Sequence, residues 1–263
     1  MLSGSASKSI ATLSAIAVVA LVIALIPEQR GEEPIVVFAA ASLRRPLEAI
    51  APEFRQLVGH QVEYRFGGSE AMLNQIRLSQ AKQPADLYIP ADESYFLNSG
   101  DLVSQRFPLA TMRAVLLVQP RRRGELRSFS DLLSPSTRLA LAQPDIAAIG
   151  RITRDVLREQ NQWHVLEKLI VVTPDNVVQS ATAVELGSVD AAIVWDAVAV
   201  GFPKCEQVQL PELDRVTARV EVGLLKHSRH PEAALKFSRY LSEESGGAGH
   251  FRRLGFRAVE GTR

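Results

Sequence analysis

From Ile35 onward, apolar segments that read as buried strands alternate with amphipathic segments that read as helices, and this alternation limits the possible folds more than any other feature. The run Ile35-Val36-Val37-Phe38-Ala39-Ala40 is continuously apolar, as expected of a strand covered on both faces. Leu43, Leu47, Ile50, Phe54 and Leu57 then recur at spacings of three and four residues, which places them on one helical face. Pro46 fits the first turn of that helix, whereas Pro52 lies inside it and predicts a kink. Residues 61–66 alternate and predict a strand, broken by Gly67-Gly68. A helix is expected over 69–79 and a short strand over 86–90. The same reading gives strands at 114–118, 139–142, 170–172, 191–195 and 220–225. Helices are expected at 150–160, at 177–186 with Gly187 closing it, and after Pro231. A basic turn lies at 120–124. The fold class is therefore α/β, with mostly parallel sheets flanked by helices. In such sheets ligands sit at the carboxyl ends of strands, beside helix N-termini.

Composition narrows the function. A chain of 263 residues, 46% hydrophobic, is long enough for two lobes with real cores. Thirty basic side chains oppose 29 acidic ones, which argues against a nucleic-acid groove and against a disordered chain. The single cysteine, Cys205, excludes an internal disulfide and a Cys/His zinc site, and it reads as an ordinary surface or loop thiol. The five histidines form no triad or metal pattern, and no phosphate loop or dinucleotide fingerprint is present. Gly67-Gly68-Ser69 lacks the second glycine of a nucleophile elbow. Asp86 and Asp92 follow a strand and suggest an acid/base pair, but they read better as braces for loops near a hinge. A non-enzyme without a cofactor is the expectation. At the N-terminus, Lys8 precedes the uncharged apolar run 10–26, which Pro27-Glu28-Gln29-Arg30 ends. This run reads as an export segment, cleaved or kept as an uncleaved membrane anchor, with 31–34 as a linker.

Four strand-to-helix turns have ligand-holding character. They are Ala39-Ala40-Ala41-Ser42-Leu43, Phe66-Gly67-Gly68-Ser69-Glu70, the segment 144–150 ending in Ala147-Ala148-Ile149-Gly150, and Thr173-Pro174-Asp175-Asn176-Val177. Small residues bare the backbone. Ser42, Ser69, and Asp175 or Asn176 are placed to cap the helices that follow. A helix start carries unpaired N–H groups and about half a positive charge, so several such starts converging would hold an anion without Lys or Arg. Ordinary capping explains each turn singly; only their convergence makes a site.

The segments Val37-Phe38-Ala39-Ala40-Ala41-Ser42-Leu43, Phe66-Gly67-Gly68-Ser69, Pro84-Ala85-Asp86-Leu87-Tyr88-Ile89-Pro90-Ala91-Asp92 and Asp190-Ala191-Ala192-Ile193-Val194 resemble the periplasmic molybdate-binding proteins. These are the solute-binding subunits of ATP-binding-cassette importers of molybdate and tungstate. The ending, Phe237 to Leu241 and Phe251 to Phe256, is also similar. The resemblance implies a two-lobed periplasmic binding protein of type II, with two crossovers between lobes. Lobe 1 would comprise 35–111 and 219–263, lobe 2 would comprise 112–218, and 1–34 would be the signal peptide or anchor with its linker. It implies capture of molybdate or tungstate by Ser42, Ser69, Ile149, Val177 and Trp195, the metal being held through its oxygens. It further implies an exported, periplasmic monomer that docks on a membrane permease and binds no nucleic acid.

Two departures from the family pattern bear on the ligand. Trp195 stands where the family usually has tyrosine; its indole N–H still donates, but its bulk is greater. Glu70 follows a ligand serine and would repel an anion if it pointed inward; it is expected to face solvent and favour its own helix start. Arg44, Arg45 and Arg151 lie in the first turns of candidate ligand helices and read as solvated faces, or as a positive field that speeds anion capture. Sulfate or phosphate receptors, and a membrane-tethered sensory module of the same fold, are the competing readings.

Overall fold

The computed structural model describes residues 33–79, 84–97 and 99–259. Strand β1 (Ile35–Ala40) runs through a 3-10 turn (Ala41–Leu43) into helix α1 (Arg44–Val58). Strand β2 (Val62–Gly67) leads to α2 (Ser69–Ser79), and β3 (Leu87–Ile89) leads to a 3-10 turn over Glu93–Phe96. A long strand, β4 (Val103–Val118), is followed by α3 (Phe129–Leu132), β5 (Leu139–Ala140), α4 (Ala148–Glu159) and α5 (Trp163–Leu166). Then come β6 (Ile170–Val172), α6 (Val177–Glu185), β7 (Ala191–Trp195), α7 (Asp196–Ala199), β8 (Glu206–Val208) and β9 (Thr217–Leu225). Helices α8 (Pro231–Ser242) and α9 (Gly247–Arg253) follow.

The strand order is β2-β1-β3-β9-β4-β7-β5-β6, with β8 added on β4. Pairings β1–β2, β1–β3, β5–β6 and β5–β7 are parallel. The two strands between these groups are antiparallel to their neighbours, so a β1–β3 half and a β5–β7 half are joined by β4 and β9. Strand β4 changes partners along its length. Arg113 and the residues before it pair with β9, and Ala114 to Val118 pair with β7. Each joining strand is tied by a carboxylate near that change. Asp196 Oδ1 accepts from Arg113 N at 3.1 Å, and Asp92 Oδ2 accepts from Arg219 N at 3.2 Å. This is the α/β, two-lobed binding-protein architecture expected from the sequence.

Helices bury the faces that their spacing specifies. In α1, Leu47, Ile50 and Phe54 are fully buried, and the Phe54 ring lies 4.6 Å from that of Phe237 on α8. Leu57 does not join them: it is 68% exposed, because at 3.6 residues per turn it stands at the margin of that face, in the last turn. Helix α1 runs through Pro52 without a break, so the proline does not end it. Strand β4 starts well before the expected Ala114, because residues 103–106 are largely exposed and carry no apolar run. Cys205 is buried rather than on the surface, and burial pushes its thiol pKa up, which keeps it unreactive. The export segment 10–26 lies outside the described residues. Among the described residues, no helix is long and apolar enough to cross a membrane.

Candidate functional site

The turns after β1, β2 and β7, and those before α4 and α6, meet at one small cleft. Ser42, Ser69, Ile149, Val177 and Trp195 all line it. From the β1–β3 half come the two serines. Ser42 sits inside the 3-10 turn and caps no helix, contrary to expectation; its Oγ is buried and makes no hydrogen bond among the described residues. A buried hydroxyl without a partner costs free energy, which a ligand oxygen accepting its hydrogen would relieve. Ser69 does not cap either, since it is already the first residue of α2. Its Oγ accepts from Ala91 N at 3.1 Å, and its carbonyl accepts from Tyr88 Oη at 2.8 Å. With the oxygen so engaged, the Ser69 hydroxyl hydrogen remains available to the cleft. Burial, with Tyr95 and Glu70 nearby, pushes the Tyr88 phenol well above its ordinary pKa, so Tyr88 stays a donor and holds the Ser69 backbone in place.

From the β5–β7 half come helix starts. Helix α4 begins at Ala148, two residues earlier than its periodicity suggests. Its first intrahelical bond is Arg151 N to Ala147 O, which leaves the N–H groups of Ala148, Ile149 and Gly150 ahead of the ladder. Gly150 is required there: a Cβ would lie 1.9 Å from Ala142 O. At α6 the two capping candidates resolve to Asn176. Its Oδ1 accepts from Val178 N at 3.1 Å and Gln179 N at 3.2 Å, which leaves the Val177 N–H at the cleft. Trp195 ends β7 with its side chain 1% exposed and forms one wall.

Among the described residues, no cationic or anionic side chain lines the cleft, so its polarity comes from hydroxyls, amide N–H groups and two helix starts. Glu70 turns away from it. Its carboxylate lies 3.7 Å from Arg77 Nη1 on the same helix, and its N–H donates to Ile146 O at 3.0 Å, across to the other half. Arg44 pairs with Glu48 at 3.0 Å and covers the Phe66 ring, while the Arg45 guanidinium lies beside Gly201. Arg151 is not a solvated face, since its guanidinium packs on Tyr95 in the other half. Asp86 accepts from Val36 N, Ser228 Oγ, Arg229 N and His230 N and so braces the loop between β9 and α8 against β1. Asp92 braces the joining strand β9 through Arg219 N, and sequence reasoning missed its counterpart Asp196. Ala91 also lines the cleft and lies outside the four turns singled out in the sequence, whereas Ala148 and Asn176 fall within them.

Two half-sheets joined by two strands, with uncharged polar groups from each half facing a shared cleft, form the architecture of a solute-binding protein. The family profile described as bacterial extracellular solute-binding protein matches residues 35–257, and the chain belongs to this family. It is 28% identical over 226 residues to the molybdate-binding protein ModA of Mycobacterium tuberculosis, covering 82% of each chain. Its fold is similar to the Azotobacter vinelandii periplasmic molybdate-binding protein (TM-score 0.72, 19% identity), over 86% of this chain and 100% of that one. It is also similar to the sulfate-binding protein SubI of M. tuberculosis (TM-score 0.70, 20% identity), over 87% and 88% of the two chains.

Proposed function

We propose that this protein is an extracytoplasmic receptor that captures molybdate or tungstate in the cleft and hands it to an ATP-binding-cassette permease. Ser42 and Ser69 donate through hydroxyls, Ile149 and Val177 through backbone N–H groups, and Trp195 through its indole or as a wall. Lobe 1 comprises residues 35–111 and 219–263, lobe 2 comprises 112–218, and the hinge lies at 111–114 and 217–220. The lobes close on the anion, which bridges them and stabilises the closed form. A receptor rather than an enzyme, on the outer side of the membrane, accords with the family and with its molybdate-binding relatives, and the proposed receptor acts as a monomer.

The observation that carries this reading is convergence of uncharged donors from both halves on one small cleft. Such donors favour a fully deprotonated tetrahedral oxyanion. A protonated one presents an O–H where an acceptor is needed and leaves a donor unsatisfied, at about 1–3 kcal/mol. Sulfate is the second reading. The Trp195 indole, buried at the wall, fills more of the cleft than a phenol would and favours the smaller dianion.

A thermal-shift screen with molybdate, tungstate, sulfate, phosphate and chloride tests both. A ligand at about 100 times its Kd stabilises the fold by ~2.7 kcal/mol. A melting curve that moves with none of the four oxyanions rejects the assignment, and one that moves only with sulfate selects the second reading.

A further inference from the structure

We propose that Arg151 is a positioning residue that latches the two lobes in the closed form and sets how slowly the ligand leaves. The proposal rests on the two-lobed closure described above. Arg151 lies on α4, two residues beyond Ile149, and its side chain reaches away from the cleft to the other half. Its Nη2 donates to Ser94 Oγ at 2.5 Å and lies 3.7 Å from Asp92 Oδ1, and its Nε is 3.4 Å from Tyr95 Oη. The guanidinium carbon sits 4.6 Å from the centroid of the Tyr95 ring.

The receiving site is stiff. Tyr95 is 2% exposed, Asp92 Oδ1 accepts from Ser94 N and Ser94 Oγ, and Asp92 Oδ2 holds Arg219 N at the start of β9. One side chain therefore links a ligand helix of lobe 2, the turn after β3 in lobe 1, and a joining strand. Glu70 N to Ile146 O adds a second tie across the same opening. Opening the lobes breaks these contacts, so they stabilise the closed form without touching the anion. The fork of N–H donors and the flat face on Tyr95 suit arginine and not lysine.

Arg151→Gln and Arg151→Lys test the latch. Stopped-flow tryptophan fluorescence with molybdate reads association and dissociation separately, and small-angle scattering of the ligand-free protein reads closure. Arg151→Gln is expected to speed dissociation about tenfold with association nearly unchanged, as for loss of contacts made after encounter. Arg151→Lys is expected to fall between Arg151→Gln and the parent. The preference among molybdate, tungstate and sulfate should not change. Ligand-free Arg151→Gln should show a larger radius of gyration with an unchanged far-ultraviolet circular dichroism spectrum. An unchanged dissociation rate, or equal radii of gyration, overturns the latch. If the parent protein binds none of the oxyanions, the ligand assignment falls alone, and the scattering comparison still decides the latch.

Discussion

The two sides of the cleft reach the same chemical end with different parts of the chain. The β1–β3 side presents side-chain hydroxyls, Ser42 and Ser69, each two residues past the end of a parallel strand. The β5–β7 side presents backbone N–H groups at the starts of α4 and α6, beside residues such as Ile149 and Val177 whose side chains serve the core. The first side depends on residue identity, and the second depends on where a helix begins. Substitution should therefore affect the two sides differently.

The largest effect is expected where the sides touch. A Cβ on Gly68 would lie 2.7 Å from Ile146 O and from Asp175 O, both across the cleft. Gly68→Ala should keep the fold and lose about a hundredfold in molybdate affinity, near 2.7 kcal/mol, by calorimetric titration. Full affinity in this variant would mean that the two sides do not close on one another.

The serines should separate from each other. Ser69→Ala removes a proposed ligand donor and also orphans Ala91 N, so it should weaken binding and lower stability by about 1–3 kcal/mol in denaturant unfolding. Ser42→Ala removes a hydroxyl with no partner among the described residues, so it should weaken binding about tenfold while leaving ligand-free stability unchanged or slightly raised. Equal stability losses in the two variants would break the contrast.

On the backbone side, Val177→Ala should cost about 1–2 kcal/mol of stability by loss of buried methyls, with ligand affinity nearly unchanged. A loss of affinity as large as that of Ser42→Ala would show that the side chain matters there.

The smallest effect concerns β9, which joins the sides. Burial pushes the Glu221 carboxyl above its ordinary pKa; Arg106 and Arg219 pull it back, and Glu93 pushes it further up. A raised acid contributes stability at low pH and loses it as pH rises through the folded pKa. Glu221→Gln should therefore raise the melting temperature at pH 8, by less than about 1 kcal/mol of stability, and the gain should shrink toward pH 4. A gain that grows toward acid would reverse the sign of this assignment.

Much of this molecule is legible in its sequence, for identifiable reasons. The strands Ile35–Ala40 and Ala191–Trp195 are continuous apolar runs, and their bounds follow from composition alone. The first residues of β9, 217–219, and the first part of β4 are not legible in this way, since they lie between two half-sheets and mix exposed with buried positions. At the cleft, the residues facing it are readable, but their hydrogen bonds are not. Ser42 and Ser69 look like caps in sequence, and only the long-range approach of Ala91 and Tyr88 shows what Ser69 bonds. Arg151 looks like a helix-surface charge because its partners, Asp92, Ser94 and Tyr95, are far away along the chain. Local pattern fixes an element; it does not reveal which distant element a polar tip meets.

Calorimetric titration of molybdate, tungstate, sulfate and phosphate into the ligand-free protein at neutral pH tests the central claim most directly. Uncharged donors from both sides enclosing one tetrahedral dianion predict saturable one-to-one binding of molybdate or tungstate, with phosphate far weaker because it stays partly protonated. Heats that never saturate with any of these ions, or that favour phosphate, would contradict it.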